Sequence, residues 1–214
     1  MGRIRLQLRK AFAAQAIAVA VVASTGAVFA LGAGTANAAL DDTKQIETGD
    51  NLTIEARQSD TDIRFVAPLD GNPLTREWFH DAIAGFHIDG AGADEFLGKI
   101  TIGYQIGYPA TLSGQIKFSY TSPTLSLGLG LNNGPTVGNL VPTVGVEISA
   151  GFGPGIKSVD IATVAIAGAD GWIKIAGVHG TVTGVVGRTT IRPYVTVTSV
   201  RGDTVTTYGK DWKA

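Results

Sequence analysis

The 214-residue chain contains no cysteine, so neither disulfides nor thiolate metal sites hold its fold together. Histidine is scarce, with three in all. His80 and His87 show no HExxH-like pairing, so they read as structural or surface side chains, and no metal or cofactor is implied. Acid is missing from two long stretches: none precedes Asp41, and none lies between Glu95 and Glu147. Helix-type periodicity is rare, and no later apolar run is long enough to be a membrane helix. There is no nucleophile elbow, paired-carboxylate signature or metal-ligand spacing, so the chain does not read as an enzyme. What is abundant is glycine, 29 residues of it, which favours an all-β chain with many turns.

The acid-free start reads as an export signal. Arg3, Arg5, Arg9 and Lys10 precede an uncharged Ala/Val-rich run to about Leu31, and Ala36-Asn37-Ala38 is a small-x-small cleavage site before Asp41 and Asp42. The competing reading is an uncleaved transmembrane helix, but the run is poor in Leu and Ile and the triplet is well placed. Cleavage would start the mature chain at Ala39. Without those four of the 17 basic residues, 13 face 18 acidic ones, a net charge of −5. That argues against nucleic acid as a partner.

The segment from Thr111 to Phe152 organises the rest. Leu112, Gly114, Ile116, Phe118 and Tyr120 alternate with Thr111, Ser113, Gln115, Lys117, Ser119 and Thr121, the period-two mark of a strand with one oily face. At Ser122-Pro123-Thr124 the phase slips by one, and Leu125, Leu127, Leu129 and Leu131 continue it; Pro fits a bulge there. Asn132-Asn133-Gly134-Pro135 supplies a tight turn. The return arm sets Val144, Val146, Ile148, Ala150 and Phe152 against Thr143, Gly145, Glu147, Ser149 and Gly151. A first arm of about 17 residues extends roughly 55 Å, where a transmembrane strand needs only about 9–11 residues. Two ordinary strands with a longer loop would show similar alternation, because the signal is weak per segment.

Elsewhere, Lys44 to Val66 suggests two short strands around Ser59-Asp60. Leu74 to Phe86 is the one segment with helical character, capped by Thr75, with Trp78, Phe79, Ala82 and Ile83 near helical spacing. Gly90 to Glu95 is a loop; its glycines lack the strand–helix context of a phosphate site. Phe96 to Tyr108 is a strand. Beyond Gly153-Pro154-Gly155, short strands recur about every ten residues (Val159 to Ile166, Trp172 to Val178, Gly180 to Val186, Thr189 to Val200, Thr204 to Tyr208), which suits a β-sandwich. Pro193 marks one of these as an edge or bulged strand.

Several segments together resemble the MspA-type porins of the mycolic-acid-containing outer membrane: Leu74 to His80, Gly92 to Phe96, Gly103 to Gly107, Phe118 to Thr121, Gly153 to Ile156, His179 to Gly184 and Gly202 to Gly209. They keep the family's order and span nearly the whole mature chain. The resemblance implies a goblet-shaped homo-octamer, with mixing of a paralogous subunit left open. Each chain would supply a β-sandwich rim domain (39–110 and 153–214) and one transmembrane hairpin (111–152), and eight hairpins would close a sixteen-stranded barrel. Residues 1–38 are the secretory signal. Outer-membrane lipids and small hydrophilic solutes and ions are the implied partners.

The departure from the family lies at the hairpin tip, where adjacent aspartates are expected. Those positions fall on Gly128 and Leu129, followed by Gly130 and Leu131, so Asn132 and Asn133 are the nearest polar candidates for a constriction. Acidic rings are a main selectivity device in pores, and this one is missing. On the wet face Gln115, Lys117, Ser119, Thr143, Glu147 and Ser149 would line the lumen. A secreted or surface β-sandwich binding protein is the rival reading; it should not carry an exposed apolar band along Ile116, Phe118, Val146 and Ile148. A pore-forming toxin that inserts a hairpin from a soluble state is a distant third.

Overall fold

A computed structural model describes residues 39–121, 124–129, 146–149 and 152–214. The proposed export signal therefore lies outside the described residues. In chain order the strands are β1 (Leu40–Glu47), β2 (Thr53–Val66), β3 (Thr75–Asp89), β4 (Leu97–Tyr108), β5 (Ala110–Thr111), β6 (Gln115–Thr121) and β7 (Thr124–Leu129). They continue with β8 (Val146–Ser149), β9 (Gly155–Ala167), β10 (Asp170–Thr183), β11 (Val185–Val186), β12 (Thr190–Ser199), β13 (Thr204–Tyr208) and β14 (Trp212–Lys213). One 3₁₀ turn, Ala93–Glu95, falls where the loop was expected. The chain is all-β and its strand pairs are antiparallel.

A seven-stranded sheet runs β1-β2-β3-β10-β6-β8, with β7 also on β10. A five-stranded sheet runs β13-β12-β4-β9, with β14 also on β12, and β5 pairs with β11 alone. Ile54, Trp78, Phe86, Ile173 and Val178 of the first sheet join Ile100, Tyr104, Ile106, Val195 and Val205 of the second in one buried apolar cluster. At roughly 25 cal/mol per Å² of apolar surface removed from water, this cluster is the main source of stability in a chain without disulfides.

Three local expectations are corrected. The segment from Leu74 to Phe86 is not a helix but most of β3, an interior strand between β2 and β10. Trp78, His80, Ala82, Ala84, Phe86 and Ile88 form its buried face, a period of two that the polar His80 interrupts in the sequence. Lys44 to Val66 supplies β1 and the single long strand β2, which absorbs Ser59-Asp60 as a bulge with Asp60 at φ 51. Pro193 sits in an interior strand, not at an edge. Its β13 and β14 neighbours break there, between Tyr208 and Trp212, and Gly209 N donates to the Pro193 carbonyl at 3.0 Å. The proline's missing N–H thus falls at a gap in the ladder.

On the outer face of the five-stranded sheet Tyr194 lies flat over Gly103. Its hydroxyl donates to the Asp160 carboxylate, and burial is the main cause that raises its pKa. A Cβ on Gly103 would come within 2.3 Å of the Tyr194 ring and 2.6 Å of the Val159 carbonyl. Gly103→Ala is therefore expected to destabilise the chain by about 1–3 kcal/mol. Denaturant unfolding measures this, and an unchanged midpoint would contradict the packing argument.

Candidate pore-forming segment

The two arms of the expected hairpin pair with each other. β6 and β8 are antiparallel neighbours, with Gln115 opposite Ser149, Ile116 opposite Ile148, Lys117 opposite Glu147 and Phe118 opposite Val146. Even positions face even positions, as the alternation in both arms requires. The two charges of the arms, Lys117 and Glu147, therefore occupy directly opposed positions on one face.

The root of the hairpin is built by close backbone approaches. Gly114 turns the chain at φ 70 under the Phe152 ring. Thr111 N donates to the Phe152 carbonyl and Leu112 N to the Gly184 carbonyl, both at 3.3 Å. Gly184, at φ 94, passes so near Gln115 that a Cβ would lie 2.8 Å from its carbonyl oxygen.

The apolar side of β6 does not form an exposed band. Ile116 and Phe118 are fully buried in the core and Tyr120 nearly so. Phe118 packs at 6.0 Å from Trp78 and 6.2 Å from Tyr104, and the Tyr120 hydroxyl donates to the Ile161 carbonyl at 2.5 Å. The reason is tertiary: the oily face of β6 packs against Tyr104 of β4 and reaches the Ile161 carbonyl of β9, both in the second sheet. On its other face Gln115 and Lys117 are exposed and Ser119 is half-buried. Beside them, Glu77 accepts hydrogen bonds from His179 Nε2 and Leu69 N, both at 2.8 Å, and the Phe79 ring stacks on His179.

Below the aromatic anchor, β10 carries the first arm in a single register. Lys117 pairs with Thr183, Thr121 with His179, Thr124 with Ala176 and Leu129 with Gly171. The phase slip read at Ser122-Pro123 lies outside the described residues. On β10 the register against β3 shifts between Ile175 and Val178, and Gly177 takes φ 65. Buried positions on β10 change from odd (Ile173, Ile175) to even (Val178, Val182) at that level. Against β10 itself, β6 and β7 keep one register on either side of that level.

Of the expected constriction, Gly128 and Leu129 lie in β7, opposite Trp172 and Gly171. Gly130, Leu131, Asn132, Asn133 and Thr143 lie outside the described residues. The aromatic anchor of Trp78, Tyr104 and Phe118 around His80 was not singled out by the sequence reading, because its members are far apart in the chain and no local spacing joins them. Among the described residues no group of His, Asp and Glu could hold a metal ion, and no helix is long and apolar enough to cross a membrane, which leaves membrane-crossing strands open.

The MspA family model matches residues 48–213, a range that takes in both arms of the hairpin, the five-stranded sheet and all of the seven-stranded sheet but β1. The chain belongs to the MspA family. Porin MspA of Mycolicibacterium smegmatis is 40% identical over 203 residues, covering 92% of this chain and 96% of that relative. Porin MspC of the same organism is 40% identical over 200 residues, covering 90% and 93%. Porin MspD is 40% identical over 181 residues, covering 81% and 87%. These MspA-family relatives are named as porins, not as enzymes. Within this MspA-family chain the acid-free interval from Glu95 to Glu147 falls wholly inside the matched range.

Proposed function

We propose that this MspA-family chain is one subunit of a passive, water-filled outer-membrane porin for small hydrophilic solutes and ions. Family membership over most of the chain carries the reading. The paired, amphipathic hairpin supports it. Residues 1–38 direct export and are removed. Residues 39–110 and 153–214 form a β-sandwich rim, and the hairpin within 111–152 is the stem. Backbone groups cannot be left unpaired in lipid, so the stem belongs in a closed barrel. Two strands from one chain are too few to enclose water; eight copies would supply sixteen.

Along the channel, from the rim down the stem, Gln115, Lys117, Ser119, Thr143, Glu147 and Ser149 face the lumen. Lys117 and Glu147, at opposed positions, place rings of opposite sign at one level and largely offset each other. The constriction, from Gly128 to Asn133, carries no charge. Neutral amides at Asn132 and Asn133 orient water without selecting a sign of ion.

Purified protein in planar bilayers should give stepwise conductance with weak cation preference in reversal-potential measurements. Asn133→Asp should shift the preference toward cations. Absence of stepwise conductance would remove the porin reading. It would favour a secreted or surface β-sandwich that binds a partner without forming a pore, a reading consistent with the burial of Ile116 and Phe118. Unchanged selectivity in Asn133→Asp would mean the tip is not the constriction.

A further inference from the structure

We propose that β7 is stowed on β10 in the isolated chain and leaves it when the pore assembles. This rests on the porin reading. From Lys117 to Thr121 and from Thr124 to Leu129 the first arm gives one edge to β10 of its own chain, and over β6 its other edge goes to β8. A barrel built from several copies needs the outer edge of each arm free to pair with a neighbouring copy, because an unpaired edge in lipid costs several kcal/mol per backbone group. One edge cannot serve both β10 and a neighbour.

The two halves of the arm differ in how they are held. β6 is fixed by Ile116, Phe118 and Tyr120 in the core and by the hydrogen bond from Tyr120 to Ile161. β7 follows it along β10, from Thr124 opposite Ala176 to Leu129 opposite Gly171. The boundary between them lies level with the Gly177 bulge of β10, where Gly177 N donates to the Asp81 carboxylate at 2.5 Å and so turns away from the ladder. Release of β7 therefore leaves β6, the bulge and the β3 side of β10 in place. In the stowed arm Leu125, Leu127 and Leu129 stand opposite Ile175, Ile173 and Gly171, which are buried positions of β10. The same leucines would give a released arm its apolar face. One alternation thus serves both a sheet edge in the single chain and a lipid-facing wall in the assembly.

The absence of cysteine makes the test clean. Ser126 and Lys174 are paired positions, and directly paired antiparallel residues have Cα atoms about 4.5–5.5 Å apart, inside the range a disulfide spans. In the full-length double variant Ser126→Cys, Lys174→Cys, oxidation should consume both thiols before assembly. It should also cut channel events in planar bilayers at least about tenfold relative to the same protein after reduction. Thr124→Cys with Ala176→Cys is the second pair, should the first fail to fold. If oxidation leaves the thiols free in a folded chain, β7 does not lie on β10 and the proposal falls. If the cross-linked protein conducts as the reduced protein does, release is not required and the proposal also falls. If neither wild type nor reduced variant conducts, it is the porin reading that fails.

Discussion

Trp78→Ala is expected to lower the unfolding free energy by about 3–5 kcal/mol, the usual range for truncating a fully buried large aromatic side chain. Trp78 is wholly buried and sits edge-on to Tyr104, with ring centroids 5.7 Å apart, while Phe118 lies at 6.0 Å and Phe65 at 6.4 Å. The indole rests on Gly180, where a Cβ would come within 2.4 Å of the ring. Truncation thus opens a cavity where the two large sheets meet, and the surrounding rings cannot all close on it. Gly180→Val approaches the same contact from the other side and should be destabilising as well, by overpacking. Phe118 loses its neighbour in Trp78→Ala, so there the hairpin root should loosen and channel yield fall with stability. Denaturant titration gives the magnitude; a loss below about 1 kcal/mol for Trp78→Ala would show that this contact is not central to the core.

Stability should also depend steeply on pH between about 3 and 6.5, through His80. The imidazole is wholly buried, and burial is the main cause that lowers its pKa from the ordinary value to about 3, with nearby Asp81 opposing the shift. Its Nδ1 is 2.7 Å from the Tyr104 hydroxyl, whose own pKa burial drives upward, so both groups stay neutral in the folded state. Below about 6.5 the unfolded chain binds a proton that the folded chain refuses, so folding weakens as pH falls. The contribution is complete above that value, declines at up to about 1.4 kcal/mol per pH unit, and levels off near 3. The cumulative loss is of order 4–5 kcal/mol. His80→Gln should flatten the part of the slope between about pH 4.5 and 6.5, above the range of ordinary carboxylates, whatever its effect on stability at neutral pH. His87→Gln, at an exposed side chain paired with Asp170, is the control. An undiminished slope in His80→Gln would assign the acid sensitivity to other groups.

These predictions concern residues the sequence undersold. His80 looked like one more isolated histidine, because a polar residue within an apolar alternation hides the alternation. With His80 counted as buried, Trp78, Ala82, Ala84, Phe86 and Ile88 fall into a strand face; with it counted as polar, Trp78, Phe79, Ala82 and Ile83 imitate a helix. Local spacing could not separate these, since the difference lies in what covers the segment: β3 is flanked by β2 and β10 and faces the second sheet.

The amino-acid sequence alone determined that the chain is all-β and that Gln115 to Phe118 and Val146 to Ser149 alternate in matching phase. Each of these follows from side-chain alternation, which is local and survives in any fold that contains the strand. It also determined that no acid stands between Glu95 and Glu147, which is the ground for expecting a weakly selective channel. Only the tertiary structure decided what each oily face meets. Ile116 and Phe118 go into the chain's own core, Pro193 lies inside a sheet at a gap in its ladder, and β10 shifts register against β3 at Gly177. Period two states which residues share a face. The partner that covers the face is set by strands dozens of residues away, and no window of sequence contains it.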